Sequence, residues 1–231
     1  MQKKDKVLSK ATSTPAASGS GYSKRDETRR RVLRAALQAF GEDGFTAAST
    51  RRIAQASDVT LPVLQYYFGN KEGLYRACAE AIVERYAEHT TGPAAAAAAA
   101  LVDGCDAETA RAHLKQVIAA LLAVIAESNQ AGNWTPFAAR EVRDPGAAFE
   151  LLYERLWQPG MQLVIRLLAC IRGVLPTDPA VGVQALMLLS SFSPFGSGRA
   201  TTMRVLGWSA IGPEELKTIQ GVLEAQIDAM N

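Results

Sequence analysis

The sequence is poor in the residues that most enzymes and secreted proteins lean on. It holds three cysteines in 231 residues. Cys78, Cys105 and Cys170 make no C-x-x-C pair and no disulfide framework, so a reducing, cytoplasmic compartment is expected. The two histidines, His89 and His113, lack metal-ligand spacing, and each reads as a surface or capping residue. The first residues are charged and then rich in Ser, Thr, Ala and Gly, with no apolar core that would make a secretory signal. One long stretch, 179–198, is uncharged. It contains Gln184, Ser190, Ser191, Ser193, Ser197, Pro194 and three glycines, which makes it a poor membrane span and a better interface helix. No membrane partner is expected. There is no Gly-x-Ser-x-Gly turn, no phosphate loop and no dinucleotide fingerprint. A helical enzyme is therefore the weakest of the readings, and neither cofactor nor metal is expected.

Hydrophobic residues make up 48% of the chain, enough for a globular core. Alanine is heavily used, which suits helices better than sheets. The charge is unevenly spread. Residues 1–72 hold 13 Lys/Arg against 7 Asp/Glu, and the remainder holds 12 against 16. A basic front and an acidic rear suggest a polyanion for the front alone. Composition by itself leaves nucleic acid, a membrane surface or mere solubility open.

Residues 1–22, with Lys3, Lys4, Lys6 and Lys10 before a Ser/Thr/Pro/Gly stretch, read as a disordered basic arm. Leu33, Ala36, Leu37 and Phe40 recur at i, i+3, i+4, i+7 on one helix face, in a helix that Gly41 and Gly44 close. Ser49 and Thr60 are N-cap candidates for two short helices, and Pro62 falls in the first turn of the second. Asn70 caps a longer helix over about 71–89. The alanine run 94–100, after Gly92 and Pro93, suits either a variable loop or a helical extension, with a loop the preferred reading. Asp106 caps an apolar helix through Leu114, Ile118 and Ile125. Further helices are expected over about 134–143, from 145 to 172 with a kink at Pro159, from Pro179, over 199–207, and from Pro213. The last shows a stripe of Leu216, Ile219, Leu223, Ile227 and Met230. No segment reads as a strand. The fold class is all-α.

Two short capped helices joined by Ala56-Ser57-Asp58-Val59 have helix-turn-helix spacing. Ala54 is small where the helices cross. Ile53, Val59 and Leu64 are apolar where they meet. Asp58 sits where the turn wants a left-handed residue. An ordinary helical hairpin would share this spacing, but the chemistry favours DNA. Thr50 and Thr60 put hydroxyls at helix N-termini, where phosphates bind, and Arg51 adds charge. Leu61, Pro62, Val63, Gln65, Tyr66 and Tyr67 occupy the outer surface and early turns of the second helix. Gln65 can pair with an adenine edge, and the small apolar groups can touch a thymine methyl. Tyr66 and Tyr67 can reach phosphates, although core packing is an equal alternative for one of them. Lys71 suits a phosphate. Lys24 and Arg25 are weaker candidates.

Segment 33–75 resembles the TetR family of regulators. The carrying residues are Leu33-x-x-Ala36-x-x-x-Phe40, Gly44-Phe45, Thr50-Arg51-Arg52-Ile53-Ala54, Val59-Thr60 and Tyr66-Tyr67-Phe68-Gly69-Asn70-Lys71-Glu72-Gly73-Leu74. Asp58 stands where the family usually has Gly, and Tyr67 where His is common. The rest is similar to the CecR-type subgroup, through the Tyr66-to-Ala79 block, Phe137-x-x-Arg140-Glu141, the Pro159-bearing helix and Arg204-x-x-Gly207-Trp208.

The resemblance implies an N-terminal three-helix DNA-binding domain at 23–70 and a helical ligand-sensing and dimerisation domain at 71–231. It implies a homodimer through the last two long helices, two recognition helices on a palindromic double-stranded operator, and release by a small-molecule effector. Trp134, Phe137, Arg140, Trp157, Phe192 and Trp208 are candidates to line the effector pocket, with Arg140 gripping an anion or amide. Core packing is the competing role for each aromatic, and a carboxylate on another helix for Arg140. Few charges in this region suit an apolar effector. Sequence-specific repression is thus the expected function. A non-specific architectural DNA binder is the main alternative.

Overall fold

The computed structural model describes residues 19–131 and 134–230. The expected arm at 1–22 lies outside these residues as far as residue 18. Every element among the described residues is helical. In order they are α1 (Gly19–Ala47), α2 (Thr50–Ala56), α3 (Leu61–Phe68), α4 (Lys71–Val102), α5 (Ala107–Ala131), α6 (Thr135–Arg143), α7 (Phe149–Leu152), α8 (Gln158–Arg172), α9 (Pro179–Ser190), α10 (Arg199–Leu206) and α11 (Pro213–Asp228).

The caps expected from the sequence at Ser49, Asn70 and Asp106, and a further one at Asp178, set several of these boundaries. Ser49 accepts from Arg52 N, Asn70 Oδ1 from Gly73 N at 2.8 Å, Asp106 Oδ1 from Thr109 N at 2.8 Å, and Asp178 Oδ1 from Ala180 N at 2.9 Å. Each satisfies an amide that the helix itself leaves without an acceptor.

Three segments depart from expectation. Gly41 does not close α1; the break falls at Gly44, whose φ of 79° ends the regular helix. The alanine run is no loop: α4 continues through Pro93 to Val102. Alanine's high propensity sustains it, and Ala97 is fully buried against the C-terminal core. Pro93 removes one helical donor, a loss that neighbouring turns absorb. Finally, the expected kink at Pro159 is a wide π-type turn over Tyr153–Trp157, just before the proline. The Gln158 amide reaches back five residues to the Tyr153 carbonyl.

Two apolar clusters organise the chain. The first joins Val32, Leu33, Ala36, Leu37 and Phe40 of α1 to Ile53, Ala54 and Leu64 of α2 and α3, and to Leu74, Tyr75, Cys78 and Ile82 of α4. The second joins Leu114, Ile118 and Leu122 of α5 to Leu167 and Leu168 of α8, Val181 and Ala185 of α9, and Ile219, Leu223 and Ile227 of α11. The 22-residue apolar stretch Ala107–Ser128 is long enough to cross a bilayer, but here it runs within α5 as the axis of the second cluster. Helix α4 contributes to both, Leu74 to Val83 in the first and Ala97 in the second. Its 32 residues make a rod of roughly 48 Å.

Candidate functional site

Helices α2 and α3 form the expected helix-turn-helix. Ile53, Ala54 and Leu64 are buried where the two helices and α1 meet. Asp58 takes φ 52°, which makes it the non-glycine residue with left-handed backbone among those described. Its N–H reaches the Gln55 carbonyl at 3.1 Å, and the next amide, Val59, reaches Ala54 at 3.0 Å. The turn therefore closes without glycine.

The outer surface of α3 is open. Pro62, Val63, Gln65 and Tyr66 are exposed, and Leu61 and Tyr67 are half-buried. Thr60 is the N-cap by position, yet its hydroxyl makes no capping hydrogen bond and faces solvent. A concavity of about 440 Å³ lies between the helices, lined by Arg51, Gln55, Asp58, Thr60 and Leu61 among others. Thr50 is half-buried at the first position of α2, beside exposed Arg51.

Two basic residues have jobs inside the fold. Arg25, a weak phosphate candidate from sequence, donates from Nη2 to the Tyr66 hydroxyl at 3.3 Å. Its guanidinium lies 5.6 Å from the Tyr66 ring centre and 5.9 Å from that of Tyr67. The start of α1 thus braces the recognition helix, and Tyr66 keeps its own proton to donate. Lys71 Nζ donates to the Thr46 carbonyl at 3.0 Å and sits 5.0 Å from the Phe45 ring centre. One of its three donors is therefore engaged in holding the end of α1.

The five aromatics considered for an effector pocket are divided between the two apolar clusters. Trp134, Phe137 and Trp157 belong with the first cluster, Phe192 and Trp208 with the second. Phe137 is fully buried, 4.6 Å from the Tyr75 ring centre. Among the described residues Arg140 forms no ion pair with a carboxylate. Its Nη2 donates to the carbonyls of Glu42 at 2.8 Å and Gly41 at 3.3 Å. These are the carbonyls that α1 leaves open before the break at Gly44, and a guanidinium is well suited to cap them.

Helix α6 is therefore a bridge from the C-terminal half to the DNA-binding head. Gly41 makes the approach possible: a Cβ there would stand 3.0 Å from Pro136 Cβ and 3.1 Å from Phe137 N. Glu141, buried at 1% exposure, accepts from the Tyr75 hydroxyl on α4 and from Gly146 N at 3.1 Å. Burial first, then the Glu141 hydrogen bond, push the Tyr75 hydroxyl well above its ordinary range, so it stays a donor. Further along, His89 Nε2 lies 2.8 Å from Glu127 Oε2, and Arg85 pairs with the other Glu127 oxygen at 3.1 Å, tying α4 to α5. His89 is thus an interhelical contact and not a helix cap. Sequence reasoning missed Tyr75 and the purpose of Gly41, because both depend on what α6 packs against.

Among the described residues no group of three His, Cys, Asp or Glu is placed to hold a metal ion. Fold and site together define a DNA-binding transcriptional regulator, a helix-turn-helix head on a helical C-terminal domain. Residues 32–78 match the family model described as bacterial regulatory proteins, tetR family. Residues 110–231, more than half of the chain, match the one described as HTH-type transcriptional dual regulator CecR, C-terminal domain, and the chain belongs to that family. It is 28% identical over 208 residues to the HTH-type transcriptional dual regulator CecR of Shigella flexneri, covering 89% of this chain and 92% of that one. Among solved structures, a TetR-like transcriptional regulator from Rhodococcus sp. RHA1 aligns with TM-score 0.55 at 20% identity, covering 87% of this chain and 93% of that one. AmtR of Mycobacterium smegmatis aligns with TM-score 0.54 at 20% identity, covering 85% and 84%. These structural likenesses support the fold.

Proposed function

We propose that the chain is a homodimeric repressor that binds a palindromic operator in the cytoplasm and leaves it when a small apolar effector occupies the C-terminal domain. The observation that carries this reading is the open face of α3, where Pro62, Val63 and Gln65 stand exposed beside the uncapped hydroxyl of Thr60. An amide side chain and small apolar groups are what a major groove can read, and free helix N-termini are what phosphates prefer. In this reading residues 23–70 bind DNA and residues 71–231 sense and dimerise. Gln65, Pro62, Val63 and Leu61 face bases. Thr50, Arg51, Thr60, Tyr66, Tyr67 and Lys71 hold the backbone. Two heads related by a two-fold axis would read half-sites about 34–36 Å apart.

Release needs the effector to bind one dimer shape more tightly than the other. The bridge of α6 onto α1 and α4 supports a mechanical link: a shift of α6 moves the end of α1 through Arg140 and moves α4 through Glu141. The test is fluorescence anisotropy of the purified protein on the DNA beside its own gene, against random duplex, over a range of salt. A specific regulator binds the promoter fragment at least a hundredfold more tightly. Equal affinity for both, with a steep salt slope, supports the non-specific architectural reading instead.

A further inference from the structure

Cys105 and Cys170 lie 65 residues apart in sequence and 3.9 Å apart between sulfurs. Cys105 stands on the turn between α4 and α5, after Gly104 at φ 79°. Cys170 stands in the last turns of α8, and its thiol donates to the Cys105 carbonyl at 3.1 Å. Both are partly exposed, whereas Cys78 is buried. A disulfide needs sulfurs about 2.05 Å apart, so the pair must close by roughly 2 Å. Rotation about one Cα–Cβ bond moves a sulfur that far, and the non-helical backbone at Cys105 can follow. Metal binding is the other use of paired thiols, but no third ligand stands with them among the described residues.

We propose that this pair is an oxidation site for hydroperoxides, closing to an intramolecular disulfide that ties the far end of α4 to α8. The Cys105 sulfur attacks one peroxide oxygen, the O–O bond breaks, and the departing hydroxide takes the Cys105 thiol proton to leave as water. The Cys170 sulfur then attacks the Cys105 sulfenic sulfur, the S–O bond breaks, and the departing hydroxide takes the Cys170 proton to leave as a second water. The sum is two thiols and one hydrogen peroxide giving one disulfide and two waters. Cys170 is placed for the second step because its sulfur already lies 3.9 Å from that of Cys105. Burial first, then the neighbouring Cys105 thiol and Asp106, raise the Cys170 thiol above its ordinary range, so its attack is coupled to passing its proton to the departing hydroxide. Cellular thiols would reopen the bond by exchange. Helix α4 begins directly after the recognition helix and ends at Val102, so the tie acts on the rod that carries the DNA-binding head.

The test uses the full chain, reduced, freed of reductant and treated with hydrogen peroxide. Thiols titrated after denaturation are expected to fall from three to one, and the intact mass to fall by two hydrogens. A peptide map without reduction should join the Cys105 and Cys170 peptides, and a dithiol reductant should restore three thiols. Cys105→Ser and Cys170→Ser should abolish the link, and Cys78→Ser should keep it. Amide exchange over residues 97–103 should slow at least threefold on oxidation. On a duplex selected for binding by the reduced protein, the half-saturation concentration should move at least threefold, and should not move for Cys170→Ser. Three intact thiols, a link between two copies, or sulfinic acid at either residue would overturn the site. A formed bond with unchanged half-saturation would overturn its transmission through α4. Failure of promoter DNA to bind the reduced protein would instead count against the proposed operator, and the peptide map judges the cysteines independently.

Discussion

The hydroxyl of Tyr75 donates to Glu141 Oε1 at 2.5 Å, where the two residues are 2% and 1% exposed. A carboxylate so deeply placed is held by its donors, here Tyr75 on α4 and the Gly146 amide. Tyr75→Phe removes one of them and fills the same space. The expected cost is about 1.5–3 kcal/mol, the range for hydrogen bonds to charged groups. Urea unfolding should show a lower midpoint with an unchanged slope. A loss below about 0.5 kcal/mol would mean that water replaces the hydroxyl without penalty.

Arg140 holds α1 by a fork of donors, a role that can be measured with no effector present. Arg140→Ala should destabilise by about 1–2 kcal/mol without any effector present. Arg140→Lys should recover less than half of that, because a single ammonium cannot span the Gly41 and Glu42 carbonyls as a guanidinium does. Thermal melts of the free protein decide it. Wild-type stability for Arg140→Ala would return the residue to the list of effector contacts.

Much of this architecture was legible in the sequence for local reasons. Caps at Ser49, Asn70, Asp106 and Asp178 are readable because a side-chain oxygen and the amide it serves are two or three residues apart. The apolar repeat of Leu33, Ala36, Leu37 and Phe40 is readable because one helix face is buried throughout. What escaped depends on distant partners. The alanine run favours a helix by itself but follows Gly92 and Pro93, so its continuation of α4 is settled only where Ala97 meets the second cluster. Arg140 looks like a ligand anchor until the broken end of α1 is placed beside it. Cys105 and Cys170 look unrelated until α8 crosses the α4–α5 turn.

Asp58 provides a test of the turn. Its φ of 52° is tolerable for Asp but costly for most L residues, and free for Gly. Asp58→Gly should be more stable than Asp58→Ala by about 1 kcal/mol, since the Asp58 side chain is itself exposed and its loss opens no core cavity. Equal stabilities by chemical denaturation would show that the turn relaxes to a right-handed form.

On DNA, Gln65 and Lys71 should fail differently. Gln65→Ala is expected to weaken a specific operator by about 1–3 kcal/mol and to leave random duplex nearly unchanged. Lys71→Ala should weaken both and flatten the salt slope by about one ion. Because Lys71 also donates to Thr46, its variant should be slightly less stable as well. Parallel losses on both duplexes for Gln65→Ala would exclude base reading by that side chain. A preserved salt slope for Lys71→Ala would assign the lysine wholly to its fold role.

The apolar surface that α9 and α11 offer to a second copy is narrower than the sequence stripe implied. Ile219, Leu223 and Ile227 of α11 are spent inside the protomer, packed with α5. Apolar groups remaining outside are Val222 on α11 and Val183, Leu186 and Met187 on α9, at 56%, 56%, 54% and 70% exposure. If α9 and α11 pair across a two-fold axis, each change there enters the interface twice. Leu186→Glu would bury two unpaired carboxylates and should raise the dimer dissociation constant at least thirtyfold, about 2 kcal/mol. Val142→Glu, on the exposed side of α6, is the control and should leave it unchanged. Sedimentation equilibrium over a concentration series reads both. A Leu186→Glu dimer as tight as the wild type would place the subunit contact on another face, and operator symmetry would then have to be derived from that face instead.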